Sequence, residues 1–301
     1  MPDTARLNCA LGGYGPAVAR WTVEVRRFVA AVARSLRGRD LPLHAAAVTF
    51  YGGIAVVPAV VLAIRLAALV AGADRVAELT AAPVDAVPDA LGAGRAAAAL
   101  VRAGLGLGPA QAVAALIPAT LYGEGLRRAF GSLARRRPSD PVRAWRGRLL
   151  VLPLLAAGPA LLLGLLLVLP TAAGLLERGG WTSFGGIVAS FLAVWIVVTT
   201  MLAWVYRVVG SASPSWPWAL LGATITAANL SGFMHGFVLF WAIPVDLSLP
   251  FGGLEVVGAV VAVALWLYAL HLIALVGYVA TLELGRVDLA QGVGAADWRC
   301  P

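Results

Sequence analysis

The chain alternates between long apolar stretches and short polar or arginine-rich ones. Apolar residues dominate 45–71, 108–125, 148–175, 184–206, 217–243 and 254–284. About 20 such residues cross the hydrocarbon core of a bilayer as a helix, so each stretch is expected to span a membrane once. The segment 20–39 follows a different period. At helical spacing Trp21, Val25, Phe28, Val32 and Leu36 form one stripe, while Arg20, Arg26, Arg27, Arg34 and Arg37 lie opposite. That pattern predicts a helix lying along the membrane surface. The stretch 74–107, with Asp74, Glu78, Asp85, Asp89 and prolines at 83 and 88, predicts short amphipathic helices on the other side. The expected fold is therefore an all-α integral membrane protein: about six transmembrane helices plus an N-terminal interfacial amphipathic helix. Residues 1–43 precede the membrane domain, 44–285 form it, and 286–301 are a tail.

Composition rules out a soluble domain. Sixty per cent of the residues are apolar before the 34 glycines are counted, and 13% are charged. Soluble domains run at about 45–50% apolar with glycine included. The 23 basic residues are all arginine, a bias that fits a GC-rich bacterial genome. With Arg148, at the very start of the third span, counted in the loop before it, alternate loops hold 18 arginines on one side and four on the other. Positive charge is retained on the cytoplasmic side, so both termini are expected there, in a bacterial inner membrane. No cleavable secretory leader is expected in the first forty residues.

Arg26, Arg27, Arg34 and Arg37, together with Arg135, Arg136 and Arg137 in the loop 127–148, are the expected contacts for anionic lipid headgroups. The loop carries no aromatic platform for bases, so no specific nucleic acid is expected. Cys9 and Cys300 sit in opposite tails, which leaves no disulfide framework or zinc spacing.

Polar groups inside the spans are the candidate functional residues. The stretch HAAAVTFYGGIAVVPAVV, 44–61, breaks an apolar run with His44, Thr49, Tyr51, Gly52, Gly53 and Pro58. Helix breakers and polar groups survive at membrane depth where protein or a cavity satisfies them, so these six are expected to form an interior face. Gly222, Thr226, Asn229 and Gly236 share one sector of the fifth span, and Tyr268 and His271 lie together in the sixth. Either set can serve close helix packing or line a cavity. Arg65 is expected to snorkel to the outer interface. Glu124 ends the second span beside Arg127 and Arg128 and is expected to face the surface. The histidines at 44, 235 and 271 are too far apart in sequence to suggest a metal site, so neither a cofactor nor an enzyme activity is expected.

The segment AAAVTFYGGIAVVP, 45–58, resembles the signature of the YihY/BrkB family of bacterial inner-membrane proteins. LYGEGLRRAFGSLARRRP at 121–138, WRGRLLVLPLLAAGPALLL at 145–163 and FGGLEVVGAVVAVALWLYALHLIALVG at 251–277 are similar to later landmarks of that family, in the same order. The resemblance covers about residues 40–288. It implies six spans, a role in the cell envelope and a transport-type activity, and it gives no support to a ribonuclease label once attached to the family. The chain departs from the family at Ala55, where a serine is common, at Phe251, where a tyrosine is common, and at Val279, where a glutamate is common; Glu283 follows one turn later. Two functions remain open: a transporter or lipid-interacting permease, and a non-transporting scaffold for envelope proteins. The glycine-rich spans also allow a homo-oligomer.

Overall fold

The computed structural model describes residues 15–85, 93–134, 141–177, 180–241 and 249–296, and among them every regular element is helical. In chain order these are α1 (Gly15–Leu36), α2 (Leu41–Ala71), α3 (Ala73–Asp85), α4 (Ala93–Leu105), α5 (Pro109–Leu133), α6 (Pro141–Glu177), α7 (Gly180–Trp204), α8 (Trp216–Trp241) and α9 (Glu255–Ala296). A π-helical turn, Val205–Val209, extends α7, and a 3₁₀ turn, Leu249–Phe251, precedes α9.

The chain is an all-α membrane protein. Four helical segments among the described residues are long and apolar enough to cross a bilayer: Leu41–Ala71, Ala144–Leu165, Gly180–Val209 and Glu255–Arg286. The expected spans 108–125 and 217–243 coincide with α5 and α8 but are not among those four. In α5, Glu124, Arg127 and Arg128 interrupt the apolar run. The last helix is also longer than expected, running unbroken for 42 residues and passing the tail boundary at 286 to end at Ala296.

α2 is the central helix. It packs against α5, α6 and α9 and against the two short helices. The expectation for 74–107 is met by α3 and α4, although Pro88 and Asp89 lie outside the described residues. Val76 of α3 seats against Ile64, Ala67 and Ala68 of α2. Arg65 reaches the last carbonyl of α4, with Nη1 donating to Leu105 O at 3.2 Å, so its charge sits where a helix C-terminus favours a cation.

The opposite, arginine-rich end holds the main core. Phe130, Tyr206 and Tyr278 are fully buried there, with ring centroids 4.1 Å apart for Phe130–Tyr278 and 5.9 Å for Phe130–Tyr206. Tyr206 donates to Ala274 O at 2.7 Å, and Arg127 Nη1 donates to Val209 O at 2.9 Å in the π turn. Such ties leave few backbone carbonyls unpaired where helices end in a low-dielectric setting. The C-terminal half of α1 docks on this core through Val32 and Leu36. Ser35 donates to Glu283 at 2.6 Å, and Arg286 pairs with the same carboxylate. Val23, Val25 and Val29 of the same helix are exposed.

Two cross-ties fix relative depth. Trp195 donates to Thr224 O at 2.9 Å, and Ser231 donates to Phe191 O at 3.1 Å. The part of α8 between Thr224 and Ser231 is thereby level with the centre of the Gly180–Val209 span.

Where α5 crosses α6 the two backbones touch. A Cβ at Gly123 would overlap the Gly147 carbonyl, and one at Gly147 would overlap that of Gly123. Replacing Gly147 with Leu must push the helices apart. We expect a loss of about 1–3 kcal/mol, read as a lower melting temperature of the detergent-solubilised protein. Gly164→Leu, on the same helix but with open space around it, should change it little.

Candidate functional site

Thr49, Tyr122 and His271 come from α2, α5 and α9, and they meet in one hydrogen-bonded junction. His271 Nδ1 lies 3.1 Å from Thr49 Oγ1, and its Nε2 lies 2.9 Å from the Tyr122 hydroxyl. The donor count assigns the protons. Thr49 already gives its hydroxyl proton to Ala45 O at 2.8 Å, so it accepts from Nδ1–H. The bare Nε2 then accepts from Tyr122 O–H. A neutral imidazole satisfies all three groups. His271 is 8% exposed.

Gly52 makes room for this junction. A Cβ there would sit 3.2 Å from His271 Cε1 and 3.3 Å from the Tyr122 ring. Tyr51, the residue before, lies against Gly125 of α5 so closely that a Cβ at 125 would come within 2.6 Å of its ring. Tyr268, one turn before His271, packs partly buried against the core. Pro58 is half-buried within α2, where it removes one helix hydrogen bond. Of the expected interior face, Thr49, Tyr51 and Gly52 lie against α5 or α9, and Gly53 does not. Gly53 is exposed, with nothing within 4 Å of a Cβ placed on it, because one residue of helix turns the position by 100°. His44 pairs with Ser132 Oγ at 2.8 Å near the start of α2.

The fifth-span sector also divides. Gly222 and Thr226 face α9 in a reciprocal arrangement: Gly222 receives Thr281, and Gly277 receives Thr226. Each threonine bonds the carbonyl of the glycine one turn earlier, Thr226 to Gly222 O and Thr281 to Gly277 O, both at 2.7 Å. The repeated Gly-x-x-x-Thr spacing at 222–226 and 277–281 was the available sequence signal for this interlock. Asn229 and Gly236 lie off the α9 contact. Asn229 is exposed, with Nδ2 bonded back to Ile225 O at 2.9 Å, and Gly236 has open space around it. Only a slight rotation separates the two sets, so one polar sector straddles the edge of the α8–α9 contact.

Glu124 departs from expectation. It is 7% exposed rather than surface-facing. Oε1 takes Arg128 Nη2 at 2.6 Å, and Oε2 takes Arg148 Nε at 2.6 Å. Arg148 reaches it because Gly123 and Gly147 bring α5 and α6 together, a proximity invisible in the span pattern. Val279 is buried in the core, and Glu283 is occupied by Ser35 and Arg286. The carboxylate one turn after Val279 therefore anchors α1.

Arg26, Arg27, Arg34 and Arg37 are exposed on α1, while Arg135, Arg136 and Arg137 lie outside the described residues. Among the described residues no three His, Cys, Asp or Glu side chains gather in a way that would hold a metal ion.

The junction makes a direct prediction. Tyr122→Phe leaves Nε2 without a donor, and His271→Phe removes the ring that both hydroxyls address. Each should destabilise the protein by about 0.5–2 kcal/mol in mixed-micelle unfolding. The double variant should lose less than the sum. Strict additivity would show that the two residues do not interact.

The family comparison covers these elements from the docked part of α1 onward. The family model described as Virulence factor BrkB matches residues 32–297, which include α2 through α9. No curated protein and no solved structure matches the chain. With most of its length under that family model, this all-helical membrane protein belongs to the BrkB virulence-factor family.

Proposed function

We propose that the protein is a transporter or lipid-interacting permease of the bacterial cell envelope. It crosses the inner membrane six times, with α2, α5, α6, α7, α8 and α9 as the spans, and keeps both termini in the cytoplasm. The observation that carries the reading is the Thr49–His271–Tyr122 junction. An ionisable side chain inside a membrane bundle is costly to keep, and it marks a functional site by default. Here it joins three helices through hydrogen bonds rather than through apolar packing alone. Hydrogen bonds of that kind can break and re-form as helices move, so the junction supplies a latch between α2, α5 and α9. The reading assigns the chain no catalytic step, no cofactor and no nucleic-acid partner.

The orientation follows from the arginine asymmetry. On this reading Arg26, Arg27, Arg34 and Arg37 of α1 lie at the inner leaflet, where their exposure supports contact with anionic headgroups. The same exposed surface supports the second reading, a scaffold that recruits envelope proteins without moving a substrate.

One experiment separates the two. Tyr122→Phe and Thr49→Val are tested for rescue of the envelope defect of a deletion strain, with membrane level and melting temperature checked in parallel. The transport reading expects loss of rescue by protein that still folds. Full rescue by both variants overturns it. Loss confined to a variant with Arg26, Arg27, Arg34 and Arg37 changed to Gln favours the scaffold.

A further inference from the structure

On the six-span reading, on which this inference rests, the exposed Asn229 carboxamide lies at the depth of the middle of the membrane. Its depth follows from the cross-ties to α7, which bracket it between Thr224 and Ser231. It is fixed independently by α9, because Asn229 lines a groove together with Leu272 and Ile273, near the centre of the Glu255–Arg286 span. One amide N–H is used on Ile225 O. The second N–H and the carbonyl oxygen are left facing out of the bundle. At that depth lipid offers only hydrocarbon, and an unsatisfied amide there costs roughly as much as a lost hydrogen bond in an apolar solvent. Acyl chains cannot repay it, and headgroups lie half a bilayer away.

The surface around Asn229 is shaped for close approach. Ile225, Asn229, Gly232 and Gly236 fall within one 60° sector of α8 by helical geometry. Ile225 is 53% exposed, and a Cβ on Gly232 or Gly236 would meet nothing within 4 Å. The pair forms an open Gly-x-x-x-Gly step, which lets two membrane helices bring their backbones together. Beside it lies an apolar groove of about 390 Å³, bordered by Ile225, Ile273, Val276 and Leu284 and floored at one end by Phe28.

We propose that this face of α8 binds α8 of a second copy of the chain across a two-fold axis. The carboxamide is self-complementary: the free N–H of one Asn229 donates to the carbonyl oxygen of the other, and the reverse bond closes the pair. A two-fold axis brings identical patches together, so one residue satisfies both donor and acceptor at the bilayer centre. The glycines allow the approach, and Ile225 of each protomer enters the groove of its partner. The proposal is independent of whether the protein transports anything.

The test uses the full chain with Cys9→Ser and Cys300→Ser, in native membranes. Single cysteines replace Ile225 or Gly232, with Ile196→Cys, exposed on α7, as the control. Oxidation should give a species of twice the chain mass from the first two and not from the third. In parallel, single-molecule photobleaching of the wild type, Asn229→Leu and Gly232→Leu in liposomes measures dimer dissociation. Asn229→Leu should weaken the dimer about three- to tenfold, the range expected for an interhelical hydrogen bond in a membrane. Gly232→Leu should also weaken it, with Asn229 intact. Melting temperatures identify any variant that has lost its fold, and the cysteine result stands without the Asn229 variants. A monomer throughout, equal cross-linking at Ile196→Cys, an adduct of another mass, or a dimer indifferent to both variants would overturn the proposal.

Discussion

The junction of His271 with Thr49 and Tyr122 constrains everything around it. Within hydrocarbon a donor or acceptor must find its partner in the protein. Both ring nitrogens of His271 are matched by hydroxyls from two other helices. The match sets the rotation of α2, α5 and α9 together, since turning any of them by one residue would carry its polar group 100° away. Gly52 is needed because the ring and the tyrosine occupy the space a side chain would take. The apolar residues of these helices then pack in the only register this polar contact permits.

Elsewhere the bundle closes through glycine. Gly123 and Gly147 let α5 and α6 touch backbone to backbone, and that contact brings Arg148 to Glu124. Gly222 and Gly277 each accept a threonine from the opposite helix. Lipid tails are as apolar as leucine, so burial gives little net drive for these helices to associate. Close van der Waals contact and hydrogen bonding take its place. The two ends of the molecule differ accordingly. The arginine-rich end is tied by ion pairs, the aromatic cluster of Phe130, Tyr206 and Tyr278, and the Ser35–Glu283 contact. The other end is covered by two short helices held partly by Arg65.

This division bears on function. A protein that alternates between states needs a bistable element, and a hydrogen-bonded junction flanked by glycine crossings has the right character. α1 docks on the core through Val32 and Leu36 and keeps Arg26, Arg27, Arg34 and Arg37 exposed. Val279 is buried in the core, and the carboxylate one turn later, Glu283, is engaged by α1.

The sequence by itself determined that the chain is a membrane protein, where its long helices run, that 74–107 forms short helices and which family it belongs to. Those features rest on local properties: apolar length, arginine distribution, helix period and ordered motifs. It also marked Thr49, Tyr51, Gly52 and His271 as polar or small residues out of place in lipid. It could not say that His271 meets Thr49 and Tyr122, that Glu124 is buried, or that Asn229 and Gly53 face outward. In a soluble helix the apolar stripe tells inside from outside. In a membrane both faces are apolar, so the pattern has no direction to encode. Only the packing of one helix against another decided which of these residues found a partner within the chain and which, like Asn229, were left facing outward.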